Sequence, residues 1–226
     1  MKNGRCEINY SIGAKYYTEK DNVEIELINP LYKDNIIELI INGTRIDIAT
    51  KYKCKTLGQH TVLYRMNIEK LTSLNRLFAT IKNVLSVTFT SLFNTENIIN
   101  MEEMFSECSS LLSTGLSSLK TQKVTSMAKM FYECTSLLSA DISYLDIKEI
   151  TTMEKMFYNC KSLKKLNLFS FKTDKVLNMT EMFNGCINLE DIDLTEFNFK
   201  NVKFCDNMFL GCEKISYLTC NNIMHS

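Results

Sequence analysis

Residues 151–168, TTMEKMFYNCKSLKKLNL, place two methionines, a phenylalanine and a cysteine within eight positions. Met153, Met156 and Cys160 are soft sulfur donors, the ligand type that suits Cu(I). Taken alone, the stretch suggests a metal or redox site. Its recurrence suggests something else. Phe105, Phe131, Phe157, Phe183 and Phe209 follow one another at intervals of 26 residues, and so do Cys108, Cys134, Cys160, Cys186 and Cys212. Met104, Met130, Met156, Met182 and Met208 keep the same period, as do Met101, Met127, Met153 and Met179, with Cys205 in the fifth place. A sixth, degenerate copy lies upstream in residues 71–93, where Leu74, Leu77, Phe78 and Ile81 occupy the Met, Met, Phe and Cys places. One residue is inserted between it and the next copy, since Phe78 and Phe105 are 27 apart. Because aliphatic residues replace both Met and Cys there, the columns tolerate any apolar side chain of similar bulk. Met and free Cys behave as adaptable buried hydrophobes, so the motif reads as core rather than as ligand.

Each copy changes its apolar period midway. Val124, Met127, Met130, Phe131 and Cys134 match one face of a short helix. Leu163, Leu166 and Leu168 then end in an alternation that suits a short strand. A helix and a strand within 26 residues predict an α/β repeat solenoid. In it about six helix–strand rungs stack right-handedly in the manner of a leucine-rich repeat, burying together faces that none could bury alone. Residues 67–226 form this unit.

Residues 1–66 do not show the period. RCEINYSI (5–12), VEIELI (23–28), IIELII (36–41), TRIDIA (44–49) and TVLYRM (61–66) read as strands rich in β-branched residues. Asn42-Gly43 between two of them is a two-residue hairpin signal. A β-rich unit here is expected to cap the first rung; a separate ligand-binding domain is the other reading.

The frame V-x-x-M-x-x-M-F-x-x-C-x-x-L-x-x-L-x-L-x-x-F is carried by VTSMAKMFYECTSLLSADISYL (124–145) and VLNMTEMFNGCINLEDIDLTEF (176–197). It resembles the bacterial surface-protein repeat of the BspA-like class of leucine-rich repeats, which also occurs in mycoplasma lipoproteins and in unicellular eukaryotes. The resemblance covers about residues 71–223. It implies a non-enzymatic protein engaged in adhesion or other protein–protein contacts, without a cofactor.

Composition narrows the function classes. The 226 residues include 26 basic and 26 acidic side chains, so no basic excess points to nucleic acid or an anionic membrane. No apolar run reaches the 18 residues of a membrane span. MKNGRCEINYSIG lacks the apolar core of a secretory leader. Nine cysteines, an odd number, favour a reducing compartment. An intracellular protein is therefore expected, with the cell surface as the alternative.

Other chemistry finds little support. The only histidines are His60 and His225, and nothing pairs either with a nucleophile. Cys205, Cys212 and Cys220 lack the close cysteine pair usual in zinc sites. Neighbouring rungs would bring the repeated cysteines within disulfide reach, but pairing would tilt them out of the stack, so a row of reduced thiols is expected. Sequons at Asn9, Asn42 and Asn178 read as chance occurrences.

The expected working surface is the outward strand face. With Leu166 and Leu168 inward, Lys165, Asn167 and Phe169 point out, in columns with Asp191 and Tyr217, and with Asp193 and Thr219. Both columns vary from copy to copy, as a drifting surface or one shaped for a partner would. Phe169 and Tyr217 are the exposed aromatics that could anchor a protein partner. No polar helix follows the last copy in the sequence, so Met208, Phe209, Ile215 and Leu218 are expected to lie partly uncovered at its end. Such an edge invites another chain. The function expected is a protein-binding or structural scaffold, a component of a larger assembly, or else an adhesion module.

Overall fold

The computed structural model describes residues 11–220. Six strands precede the repeats: β1 (Ile12–Thr18), β2 (Val23–Glu26), β3 (Ile36–Ile41), β4 (Thr44–Ile46), β5 (Lys51–Cys54) and β6 (Gly58–Met66). One 3-10 helix, Pro30–Asn35, lies between β2 and β3. The repeats contribute β7 (Val84–Phe89), β8 (Ser113–Gly115), β9 (Ser139–Asp141), β10 (Asp191–Leu194) and β11 (Tyr217–Cys220). Among the described residues there is no α-helix. The expected α/β solenoid of helix–strand rungs is therefore corrected: the chain is nearly all sheet and turn.

The segment read as a helix is a chain of tight turns. In the third copy the Met130 N–H donates to Met127 O, Tyr132 N–H to Lys129 O, and Cys134 N–H to Phe131 O, each three residues back. Lys129 and Glu133 have φ of +55° and +57°, the positive φ that a type II turn needs at its third residue. A helix cannot pass through such residues. The N–H groups between these turns leave the copy altogether. Met127, Lys129, Phe131 and Glu133 donate to Thr152, Glu154, Met156 and Tyr158 of the next copy at 2.8–3.2 Å. The same four bonds recur at each of the five interfaces between copies. Alternate amides thus serve the local turn and the neighbouring copy, and every donor in the segment is satisfied.

The left-handed positions fall mostly on residues that dislike them. Arg76, Thr80, Glu103, Glu107, Lys129, Glu133, Lys155, Asn159, Glu181 and Asn207 have positive φ, beside Gly185 and Gly211. Each non-glycine residue there costs roughly 1–2 kcal/mol. The inter-copy ladder and the core beneath it offset that cost. Met127, Met130, Phe131, Cys134 and Leu137 are all fully buried, and the Phe105, Phe131 and Phe157 rings stack in parallel at 5.4 Å.

The strand ladders run parallel but are interrupted. β7, β8 and β9 pair in register, Ser86 with Ser113 and Ser113 with Ser139. β10 and β11 pair separately, and Lys165 bridges to Asp191. No strand pairing among the described residues joins β9 to the fourth copy.

The N-terminal unit is fused to this stack. β1 lies between β6 and β7, antiparallel to both, in a seven-stranded sheet ordered β4-β3-β6-β1-β7-β8-β9. β1 and β5 are absent from the sequence reading, because Gly13, Ala14, Lys51 and Lys53 dilute their apolar signal. The reading RCEINYSI lies outside the described residues apart from Ser11 and Ile12, and Asn9 and His225 lie outside them too. The Asn42-Gly43 turn has φ of +50° and +79°, and Ile41 pairs with Thr44 across it. Both φ values suit a type I′ hairpin.

Candidate functional site: the outward strand face

The sulfur columns belong to the core. Cys134 Sγ donates to Phe105 O at 3.0 Å, Cys160 Sγ to Phe131 O at 3.1 Å, and Cys186 Sγ to Phe157 O at 3.1 Å. Cys108 and Cys212 make the same bond to Phe78 O and Phe183 O. Each thiol therefore ties its copy to the preceding one. All eight described cysteines are unpaired, and no cluster of three or more His, Cys, Asp or Glu side chains among the described residues could hold a metal.

Burial keeps these thiols protonated. It pushes Cys108 up to about 12 and the half-buried Cys212 up to about 11, and Cys134 and Cys160 well above the ordinary thiol range. An unfolded thiol titrates near 8.5. The stability that a neutral buried thiol contributes is thus complete below that pH and lost as pH rises toward about 12. For Cys108 the expected fall in unfolding free energy approaches ~1.4 kcal/mol per pH unit in that window. Denaturant titrations of wild type and Cys108→Ala between pH 8 and 11 check this; equal slopes would refute it.

His60 sits on β6 and is 2% exposed. Its Nε2 lies 3.0 Å from Thr56 O and its Nδ1 3.0 Å from Asn42 Nδ2. The carbonyl requires a hydrogen on Nε2, leaving Nδ1 to accept from the Asn42 amide. Both ring nitrogens are therefore occupied in holding the hairpin.

The outward columns fall into two rows. Lys165, Asp191 and Tyr217 are brought side by side by the register, Lys165 against Asp191 and Asp191 against Tyr217. Lys165 Nζ and Asp191 Oδ2 are 2.7 Å apart, and this hydrogen bond raises the Lys165 pKa. Being exposed and screened by solvent, the pair adds little to stability. Asp193 pairs with Thr219 in the second row. Asn167 joins neither; its Oδ1 accepts from its own Phe169 N–H at 3.1 Å. Asp193 Oδ1 accepts likewise from Thr195 N–H at 2.9 Å, which holds the carboxylate pKa down. Phe169 and Tyr217 are 77% and 73% exposed. The arrangement offers Tyr217 beside an ion pair, a separate carboxylate in the next row, and Phe169 exposed in the turn that follows Asn167. It can hold a partner's apolar and polar groups, but it contains no nucleophile–base pair.

A second surface escaped the sequence reading. On the turn side a cleft of about 310 Å³ is lined by Arg76, Glu103, Glu107, Lys129, Tyr132 and Lys155. The Tyr132 and Tyr158 rings stack beside it at 5.0 Å. The signal was present, since Tyr132 and Tyr158 also stand 26 residues apart. Helices of neighbouring copies would hold such a pair about 8–10 Å apart, whereas the turn stack brings the two rings into contact.

Comparison with known proteins yields one family. A family model described as "Mycoplasma protein of unknown function, DUF285" matches residues 50–144 and 138–219. No curated protein and no solved structure matches the chain. Among the described residues no helix is long and apolar enough to cross a membrane.

Proposed function

The chain belongs to the DUF285 family, and on that premise we propose that it is a non-enzymatic protein-binding scaffold, a component of a larger assembly. The observation that carries this reading is the exposure of two large aromatic side chains, Tyr217 at 73% in the row of Lys165 and Asp191, and Phe169 at 77% in the turn four residues after Lys165. Aromatic side chains dominate binding energy at protein interfaces, and exposing two of them on a monomer gains nothing for its folding. The inward columns are fully used in packing, so recognition falls to the side chains that vary between copies. The unpaired cysteines support a reducing, intracellular setting.

The test is the double variant Phe169→Ala/Tyr217→Ala. Both residues are exposed, so its melting temperature should match wild type. The tagged variant, expressed in its native cells, should lose a protein that wild type retains. With that protein purified, the dissociation constant should weaken by tenfold or more, the effect of losing about 1.4 kcal/mol at an aromatic anchor. Unchanged affinity in a normally folded variant would overturn this face as the working surface. Cell-surface labelling of intact cells separates the alternative, an adhesion module, from an internal scaffold.

A further inference from the structure

The stack has a direction. At every interface the turn segment donates four backbone N–H groups toward its C-terminal neighbour, as Met179, Glu181, Phe183 and Gly185 do toward Phe204, Asp206, Met208 and Leu210. The first copy is consequently an acceptor end and the last copy a donor end.

The acceptor end is capped. By register Ser73, Asn75 and Leu77 are the counterparts of the interior acceptors Thr152, Glu154 and Met156. Tyr32 from the 3-10 helix donates its hydroxyl to Asn75 O at 2.8 Å and lies 3.4 Å from Ser73 O. The Asn29 N–H donates to Leu77 O at 3.0 Å, and its side-chain amide to Arg76 O at 3.0 Å.

The donor end has no such cap among the described residues. The N–H groups of Cys205, Asn207, Phe209 and Gly211 are the counterparts of those four interior donors, and no described residue accepts from them. Phe209 stacks one face on Phe183 at 5.4 Å, while no ring of the described residues lies against its other face. Phe204, Leu210 and Leu218 around it are 55%, 58% and 50% exposed. Met208 is nearly buried at 8%, more covered than the sequence suggests for this end.

We infer that this end docks an extended protein segment that presents backbone carbonyls at every second residue, with an aromatic ring among them to lie on Phe209. The donor–acceptor pattern selects this occupant. Two donor ends of this chain brought together would set N–H against N–H. Head-to-tail stacking of copies would need the acceptor end, which Asn29 and Tyr32 already fill. The inference rests on the scaffold reading above but uses a different surface, so either can fail alone.

The test uses the whole chain, labelled with 15N, and a synthetic peptide of residues 124–149, one full copy whose Ser126, Ala128, Met130 and Tyr132 carbonyls face its preceding neighbour in the stack. In the free chain the amides of Cys205, Asn207, Phe209 and Gly211 should exchange at least about a hundredfold faster than those of Met179, Glu181, Phe183 and Gly185. Millimolar peptide should shift those four resonances and slow their exchange about tenfold or more. A Phe131→Ala peptide should bind about tenfold more weakly, having lost the ring that covers Phe209. Four amides already protected in the free chain would mean that its own residues or a second copy cover the end, and would overturn the proposal. So would peptide that shifts none of the four, or only residues elsewhere.

Discussion

Phe131→Ala is expected to lower unfolding free energy by about 3–5 kcal/mol, the range for removing a fully buried aromatic ring. Phe131 is fully buried, and its ring is sandwiched between Phe105 and Phe157 at 5.4 Å on each side. The sandwich cannot close over the gap, because the spacing of the copies is held by backbone bonds on either side of the ring column. The same substitution at Phe209 should have about half the effect. That ring is half-buried and has one ring neighbour, Phe183. Chemical denaturation of the two variants checks the pair. Equal losses would mean that the column does not stack as described, whereas a graded loss reflects position in the stack rather than residue type.

The second expectation separates turn from helix. Lys129→Gly should leave the protein unchanged or stabilise it by up to about 1–2 kcal/mol, because Lys129 has φ of +55° and glycine relieves the left-handed strain. Were residues 124–134 helical, the same change would destabilise by about 1 kcal/mol. The two readings thus predict opposite signs. Lys129→Pro makes the complementary point. It forces φ to about −65° and removes the N–H that donates to Glu154 O at 2.8 Å, so a loss of at least about 3 kcal/mol is expected. Melting curves for wild type, Lys129→Gly and Lys129→Pro decide the matter without any ligand. A destabilised Lys129→Gly would refute the turn stack at this position.

The helix reading failed for a specific reason. Met127, Met130, Phe131 and Cys134 recur at steps of three and four, and both a helix and a run of chained turns place such residues on one side. Lys129, Glu133 and Lys155 are good helix formers in a peptide, so the local sequence leans the wrong way. What overrides it is non-local: Lys129 N–H to Glu154 O and Phe131 N–H to Met156 O join residues 25 apart, and no window of one copy contains those partners. Similarly, Gly13 and Ala14 hid β1, the strand that joins the N-terminal unit to β7.

The candidate surface was more legible. Lys165, Asp191 and Tyr217 share a column because side chains alternate along a strand and copies repeat at a fixed period, and both facts are visible in the chain alone. That Asn167 turns back to bond its own Phe169 N–H was not visible, since alternation along a strand says which side a residue faces and not whether its side chain bonds the local backbone. The stacked Tyr132 and Tyr158 were overlooked for the reason the helix was.

From the chain alone come the repeat, its period and the apolar columns, because side-chain size and polarity must recur wherever identical layers stack. Folding in three dimensions settled the rest: turns instead of helices, an acceptor end held by Asn29 and Tyr32, and a donor end at Cys205, Asn207, Phe209 and Gly211. Those outcomes depend on where each backbone hydrogen bond finds its partner, and here the partner lies a full copy away.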